Sequence, residues 1–361
     1  MNLKTRKTAA ARAAKAAGVD GLLVTHLPDV RYLSGFTGSN AALVLAGGKA
    51  VLFTDGRYIA QAKAEAVGTR VVIAAKPALA AACEWMVEAK VKRCGFDATQ
   101  TTVATLELLR KAVPAKLRPR MFVAVDPLVA KLRQVKDADE IEKIRSSANL
   151  GCKLFDRMLD YVRPGLTEIE VASKLEHAAR KAGAEAMSFE TIVASGERSA
   201  LPHGRASTAK LPKRGFVTMD FGVVLDGYMS DMTRTVHLGK ARPEERDVYD
   251  AVLEAQEAAI SAVAPGVTAG HVDEAARSVL RRVGLDKFFT HSTGHGVGLE
   301  IHEGPRLAAK QTQTLEAGMV ITIEPGVYMP GRFGLRIEDM VLVTAGGHEV
   351  LTPSVKAWIE L

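Results

Sequence analysis

Three cysteines occur in 361 residues, Cys83, Cys94 and Cys152, and no two form a CxxC pair. That excludes a disulfide framework and fits a reducing cytosol. Uninterrupted apolar runs last only a handful of residues, far short of the ~18 needed to span a bilayer, so a membrane protein is excluded. Aromatic residues are scarce, at 5%, and no Lys/Arg block is interleaved with them. The net charge of +7 and pI of ≈ 9.2 therefore do not indicate nucleic-acid binding. No GxGxxG follows the first expected strand, so dinucleotide binding is unsupported. Lys4, Arg6, Lys7, Arg12 and Lys15 give the first seventeen residues a basic character without an acid. There is no apolar h-region, which excludes a secretory signal. This Ala-rich run reads as a first helix feeding the buried strand at Leu22-Leu23-Val24. The expectation is a cytoplasmic protein with neither nucleic acid nor membrane as partner.

What is present is ordinary globular material, 47% hydrophobic and 25% charged. The length suits about two domains. Over 1–133, strands expected at Gly21–Thr25, Ala41–Leu45, Ala50–Thr54, Arg70–Ile73 and Lys92–Phe96 alternate with helices at Arg57–Ala66, Pro77–Ala89 and Thr101–Lys111. Such alternation predicts an α/β domain. Gly35–Asn40 is a loop by composition. Near residue 135 the character changes. Asp137 and Glu140 form a capping-box start to a long helix reaching about Val162, and Thr167 and Glu170 start the next. The second domain is expected over 134–361.

That second domain repeats itself. Pro164-Gly165-Leu166-Thr167 and its helix match Pro265-Gly266-Val267-Thr268 and its helix. Val217–Val223, containing Asp220, matches Ile321–Val327, containing Glu324. Gly227-x-x-x-Asp231 then matches Gly334-x-x-x-Glu338. Each half reads as helix, strand, strand, with one carboxylate on each strand. Two such halves about a pseudo-twofold axis would bring Asp220, Asp231, Glu324 and Glu338 to one point. Acids in apolar strands are costly unless paired, protonated or bound to metal, and a cation of high charge is the simplest compensation.

Three histidines, His291, His295 and His302, fall within His291–His302, a stretch rich in glycine. One imidazole with four carboxylates suits Mn²⁺, Co²⁺, Fe²⁺ or Zn²⁺ better than a thiolate-loving ion. Five ligands, some bridging, can hold two ions about 3.5–4 Å apart.

The series Asp220, Asp231, His295, Glu324 and Glu338 resembles the ligand set of the pita-bread metallopeptidases: methionine aminopeptidase, prolidase and aminopeptidase P. The motifs in family order are Met219-Asp220-Phe221-Gly222, Gly294-His295-Gly296-Val297-Gly298, Ile323-Glu324-Pro325-Gly326 and Arg336-Ile337-Glu338-Asp339. Residues 1–133 resemble the creatinase/prolidase amino-terminal domain. With Arg-Ile-Glu-Asp, that points to the proline-directed branch. The resemblance implies an α/β amino-terminal domain and an α+β pita-bread domain with the internal repeat. It implies two divalent ions per chain, with Mn²⁺ first and Co²⁺, Zn²⁺ or Fe²⁺ as alternatives, and a homodimer or larger homo-oligomer. It gives His203 and His302 substrate-side roles, places His291 near the substrate pocket, and makes Arg336 a support behind the metal ligands. In the expected chemistry a water between the ions becomes a hydroxide nucleophile at neutral pH. Glu324 moves its proton towards the leaving nitrogen, and His203 and His302 steady the oxyanion.

Tyr32-Leu33-Ser34-Gly35-Phe36-Thr37-Gly38-Ser39 is similar to short bacterial aminopeptidase P sequences. The expectation is therefore an Xaa-Pro aminopeptidase acting on peptides with proline in second position. Xaa-Pro dipeptidase (prolidase) is the alternative, and a non-catalytic pita-bread binding protein a remote one. Creatinase-like C–N cleavage would not be expected to keep all five ligands.

Overall fold

The computed structural model describes residues 2–361 and divides into two compact units, the first ending at Arg133 and the second spanning Gln134–Leu361. In the first, a six-stranded sheet combines β1 (Gly21–Val24), β2 (Ala42–Ala46), β3 (Lys49–Thr54), β4 (Arg70–Ile73), β5 (Cys94–Asp97) and β6 (Phe122–Val125) in the order β4-β3-β2-β1-β5-β6. The β1/β2 and β2/β3 pairs are antiparallel and the other pairs parallel. The flanking helices are α1 (Leu3–Ala16), α2 (Leu27–Ser34), α3 (Ile59–Glu65), α4 (Ala78–Glu88), α5 (Val103–Lys111) and α6 (Leu128–Arg133). β2 is buried along its whole length, as a near-continuous apolar run requires when a strand is covered on both faces. Of the expected first helix, Met1 lies outside the described residues. Three elements were not anticipated, α2, α6 and β6. α2 is short and carries Pro28 in its first turn, where proline is tolerated. β6 is a brief apolar run behind a basic loop. In the Gly35–Asn40 loop Gly35 adopts φ +83°, and the backbone and side chain of Thr37 both donate to Glu65.

The second unit opens with α7 (Ala138–Leu159), where Asp137 and Glu140 cap one another, followed by α8 (Glu168–Lys181), where Thr167 and Glu170 do the same. Its strands are β7 (Ala186–Met187), β8 (Ile192–Ser195), β9 (Gly215–Phe221), β10 (Val223–Leu225), β11 (Tyr228–Met229) and β12 (Met232–Leu238). Helices α9 (Pro243–Ser261) and α10 (Ala269–Arg282) follow. The remaining strands are β13 (Gly294–Gly296), β14 (Glu303–Leu307), β15 (Val320–Ile323), β16 (Gly326–Met329), β17 (Phe333–Arg336), β18 (Asp339–Thr344) and β19 (Gly347–Val350). Sheets ordered β12-β9-β8 and β14-β13-β15-β18-β19 carry the two halves, beside a β16–β17 hairpin and the small sheet β11-β10-β7.

The repeat is visible in hydrogen bonds. Gly165 donates to Leu211 and Leu211 to Leu166; a half later Gly266 donates to Leu315 and Leu315 to Val267. Both glycines hold positive φ, +91° and +86°. The two halves are stitched centrally, where Glu338 N–H donates to the Thr233 carbonyl and Thr235 Oγ1 to the Arg336 carbonyl. Each half packs an apolar cluster on its helices. One gathers Phe155, Leu175, Val217 and Phe221; the other gathers Val252, Val272, Ile321 and Leu335. Fully burying one such side chain is worth about 1.5–3 kcal/mol, and these clusters hold the strand ends that carry the acids. No helix among the described residues is long and apolar enough to cross a membrane.

Candidate metal centre

Asp220 sits on β9. Asp231 stands one residue before β12, not on a strand as the repeat suggested. His295 is the middle of β13, Glu324 follows β15, and Glu338 lies between β17 and β18. All five line one cavity of ≈ 590 Å³, which is also lined by His203, His291, His302 and Arg336. The approach is close because the backbone around His295 leaves no room for side chains. A Cβ on Gly294 would lie 1.9 Å from the Thr322 carbonyl oxygen, and one on Gly296 would lie 2.2 Å from that of Gly304.

Asp231, His295 and Glu338 each offer a ligand atom within 4.8 Å of the others. His295 Nε2 is 3.4 Å from Glu324 Oε1 and 3.6 Å from Asp231 Oδ2. Its Nδ1 lies 3.0 Å from the Gly296 carbonyl, so that nitrogen carries the hydrogen and Nε2 turns its lone pair to the cluster. Thr233 Oγ1 donates to Glu338 Oε2 at 2.7 Å, and Thr322 Oγ1 donates to Glu324. Buried Arg336 reaches both halves: Nη2 donates to Asp220 Oδ2 and Nε to Thr233 Oγ1 at 3.0 Å. Its Nη1 donates to the Tyr328 hydroxyl at 2.6 Å, and that hydroxyl meets His291 Nε2 at 3.0 Å.

The electrostatics describe an acid cluster with too little positive charge. Burial, then Glu338, Asp220 and Glu324, push Asp231 well above the usual carboxylate range. Burial, then Glu324 and Asp220, do the same to Glu338. Glu324 is pushed up to about 8, first by burial and then by Asp220, with Arg336 pulling the other way. Burial lowers His291 and His295 to about 4 and lowers His302 as well, so these rings are neutral at pH 7. Asp220 Oδ1 is buried with no hydrogen-bond partner. An orphaned carboxylate oxygen, proton-hungry acids and a neutral imidazole form a donor set that fits hard divalent cations.

Sequence reasoning missed several residues here. Thr233, Thr322 and Tyr328 orient others and carry no local signature. Arg234 is buried behind Glu338, donating to its carbonyl, to Asp339 Oδ1 at 2.7 Å and to the carbonyls of Thr352 and Ser354. Arg306 on β14 is the pairing partner of His295 across the ladder. Directly paired residues of antiparallel strands project from the same face, so the guanidinium stands beside the His295 imidazole and lines the cavity. Its guanidinium has no carboxylate partner among the described residues.

Residues 142–345 match the metallopeptidase family M24, and residues 6–135 match the creatinase/prolidase amino-terminal domain. The structure of an Xaa-Pro dipeptidase from Bacillus anthracis is similar at 38% identity and a TM-score of 0.96, covering 100% of both chains. An X-Pro aminopeptidase from Thermotoga maritima is similar at 35% identity and a TM-score of 0.89, covering 97% of this chain and 100% of that one. An Xaa-Pro dipeptidase from Pyrococcus furiosus is 43% identical over 237 residues, which are 66% of this chain and 68% of that protein. Relatives named as dipeptidases thus outweigh those named as aminopeptidases, against the expectation drawn from Tyr32–Ser39. With its acid cluster, its pita-bread halves and these matches taken together, the chain belongs to metallopeptidase family M24 and is a peptidase of the divalent-metal type.

Proposed function

We propose that the protein is an Xaa-Pro dipeptidase, hydrolysing the bond between any first residue and a carboxy-terminal proline. The observation that carries the length preference is Arg306, a cation without an acid partner beside His295 on the cavity wall. A dipeptide places its own carboxylate one residue from the scissile bond, where an arginine on the cavity wall can hold it. The names of the relatives support the same choice.

Asp220, Asp231, His295, Glu324 and Glu338 would hold two divalent ions, Mn²⁺ foremost. When bound, such ions supply an activated water at neutral pH and a Lewis acid for the carbonyl. Glu324 accepts the proton of the attacking water and passes it to the proline nitrogen as that leaves. His203 and neutral His302 donate to the carbonyl oxygen as it gains charge. Arg336 fixes Asp220 directly and Glu338 through Thr233, so both halves of the ligand set keep one geometry. His291, held by Tyr328, borders the substrate. An imide nitrogen has no hydrogen, so a pocket fitted to the proline ring selects by shape. We take the working form as a cytoplasmic homodimer.

The test compares one Xaa-Pro dipeptide with the same peptide extended by two residues, with Mn²⁺ added. A kcat/KM strongly favouring the bare dipeptide supports the reading. Equal or better cleavage of the extended peptide would make this an Xaa-Pro aminopeptidase, as the Tyr32–Ser39 loop suggested.

A further inference from the structure

Glu303 follows His302 at the start of β14, and its side chain is only 5% exposed. No step above uses it. Its Oε2 accepts from Lys136 Nζ at 3.1 Å, and the Lys136 side chain is itself 1% exposed. Its Oε1 accepts from the backbone N–H of Glu300 at 3.2 Å. The carboxylate also fills the space in front of Gly298, where a Cβ would lie 2.7 Å from Oε2. Lys136 is anchored in turn: its backbone N–H donates to the Gly318 carbonyl at 2.9 Å and its Nζ to that of Gln134 at 3.3 Å.

The segment between β13 and β14, residues 297–302, is therefore folded around a carboxylate. Gly298 N–H closes a turn onto the Glu300 carbonyl at 3.1 Å, and the Gly298 carbonyl accepts from Met229 N–H at 2.8 Å. At its end the His302 ring packs against the His295 ring, centroids 4.4 Å apart. A buried ion pair is a poor device for stability, since apolar side chains of similar volume often do as well. A carboxylate does what an apolar group cannot: it accepts a loop N–H on one oxygen and an ammonium on the other.

We propose that Glu303, its charge balanced by Lys136, is the positioning residue that sets the 297–302 loop and so aims His302 at the substrate carbonyl. This rests on the role given to His302 above. Misplacing a catalytic group by about 1 Å can cost on the order of 10²-fold in rate. Losing Glu303 should therefore lower kcat by about 10- to 10²-fold while KM moves little.

Three variants test it in the full chain. Glu303→Gln removes the charge, and Lys136→Met leaves the acid unbalanced. Gly298→Ala keeps both charges but displaces the carboxylate. Each is measured for kcat and KM on an Xaa-Pro dipeptide, and by hydrogen exchange in metal-free protein. The expected result is the kcat loss at near-constant KM, with faster exchange confined to the amides of 297–302. A double Glu303→Gln/Lys136→Met variant should lose no more than the worse single one, because the pair acts as a unit. Wild-type kcat in Gly298→Ala, or faster exchange spread through the whole second unit, would overturn the proposal and leave Glu303 a packing residue. If Glu303→Gln fails to fold, Gly298→Ala decides. A wild-type protein inactive on Xaa-Pro dipeptides would sink the proposed function instead, and the exchange result would still judge the loop.

Discussion

Replacing Arg306 with alanine separates the two substrate readings most directly. Arg306 is solvent-exposed and pairs across the ladder with His295. A charge-assisted hydrogen bond is worth about 1.5–3 kcal/mol, but exposure screens it. We therefore take about 1–2 kcal/mol for its hold on a dipeptide carboxylate, which is about 5- to 30-fold in kcat/KM. The loss should be specific to substrates that present that carboxylate. An Xaa-Pro amide, or a peptide extended past proline, gains nothing from Arg306 and should lose less than about twofold. The assay is a cycle of two enzymes and two substrates, Arg306→Ala against wild type on Xaa-Pro and Xaa-Pro-amide. Arg306→Lys should recover part of the loss, since a lysine keeps the charge without the two-pronged geometry. Equal losses on both substrates would show that Arg306 acts on the fold or the metal ligands. No loss on the bare dipeptide would refute the carboxylate role.

Metal analysis after remetallation should find two ions per chain, and fewer than one in well-folded protein would refute a dinuclear centre; Glu324→Gln should abolish turnover while leaving unfolding largely unchanged. His203→Ala and His302→Ala should each lower kcat by about 10²–10³-fold with a much smaller change in KM, and a variant with near-wild-type kcat would return that histidine to a packing role. Glu245 caps α9 and binds Arg214 through two bonds of 2.9 and 3.0 Å. Burial opposes its charge, but the Arg242 N–H, Arg214 and His237 prevail and hold its carboxyl below the usual range. A depressed carboxyl stabilises the fold above its unfolded pKa and loses that contribution as pH falls through the folded value. Glu245→Gln should therefore cost about 1.5–3 kcal/mol at pH 7, with the difference from wild type shrinking below about pH 4 in denaturant unfolding. A difference unchanged by pH would refute this.

The sequence by itself determined the parts of this protein that are local or repeated. The Asp137/Glu140 and Thr167/Glu170 caps were legible because the partners stand three residues apart. The halves were legible because Pro164–Thr167 and Pro265–Thr268 repeat one turn, and the same repeat marked Asp220, Asp231, Glu324 and Glu338 as equivalent acids. Strand ends were less legible: Asp231 falls outside β12, its backbone N–H donating to Met340 Sδ at 3.2 Å instead of to a ladder carbonyl. Only the tertiary structure decided what the residues around the candidate ligands touch; the resemblance had marked Arg336 as a support but not its partners. Arg336 reaches Asp220, 116 positions away, and Thr233, 103 away. Arg306 stands opposite His295 through the register of β13 and β14, which shifts just beyond that pair. Glu303 meets Lys136 across 167 positions. Such contacts leave no periodicity or spacing in the chain, because cross-strand register and the meeting of distant loops are set by the packing of the whole core.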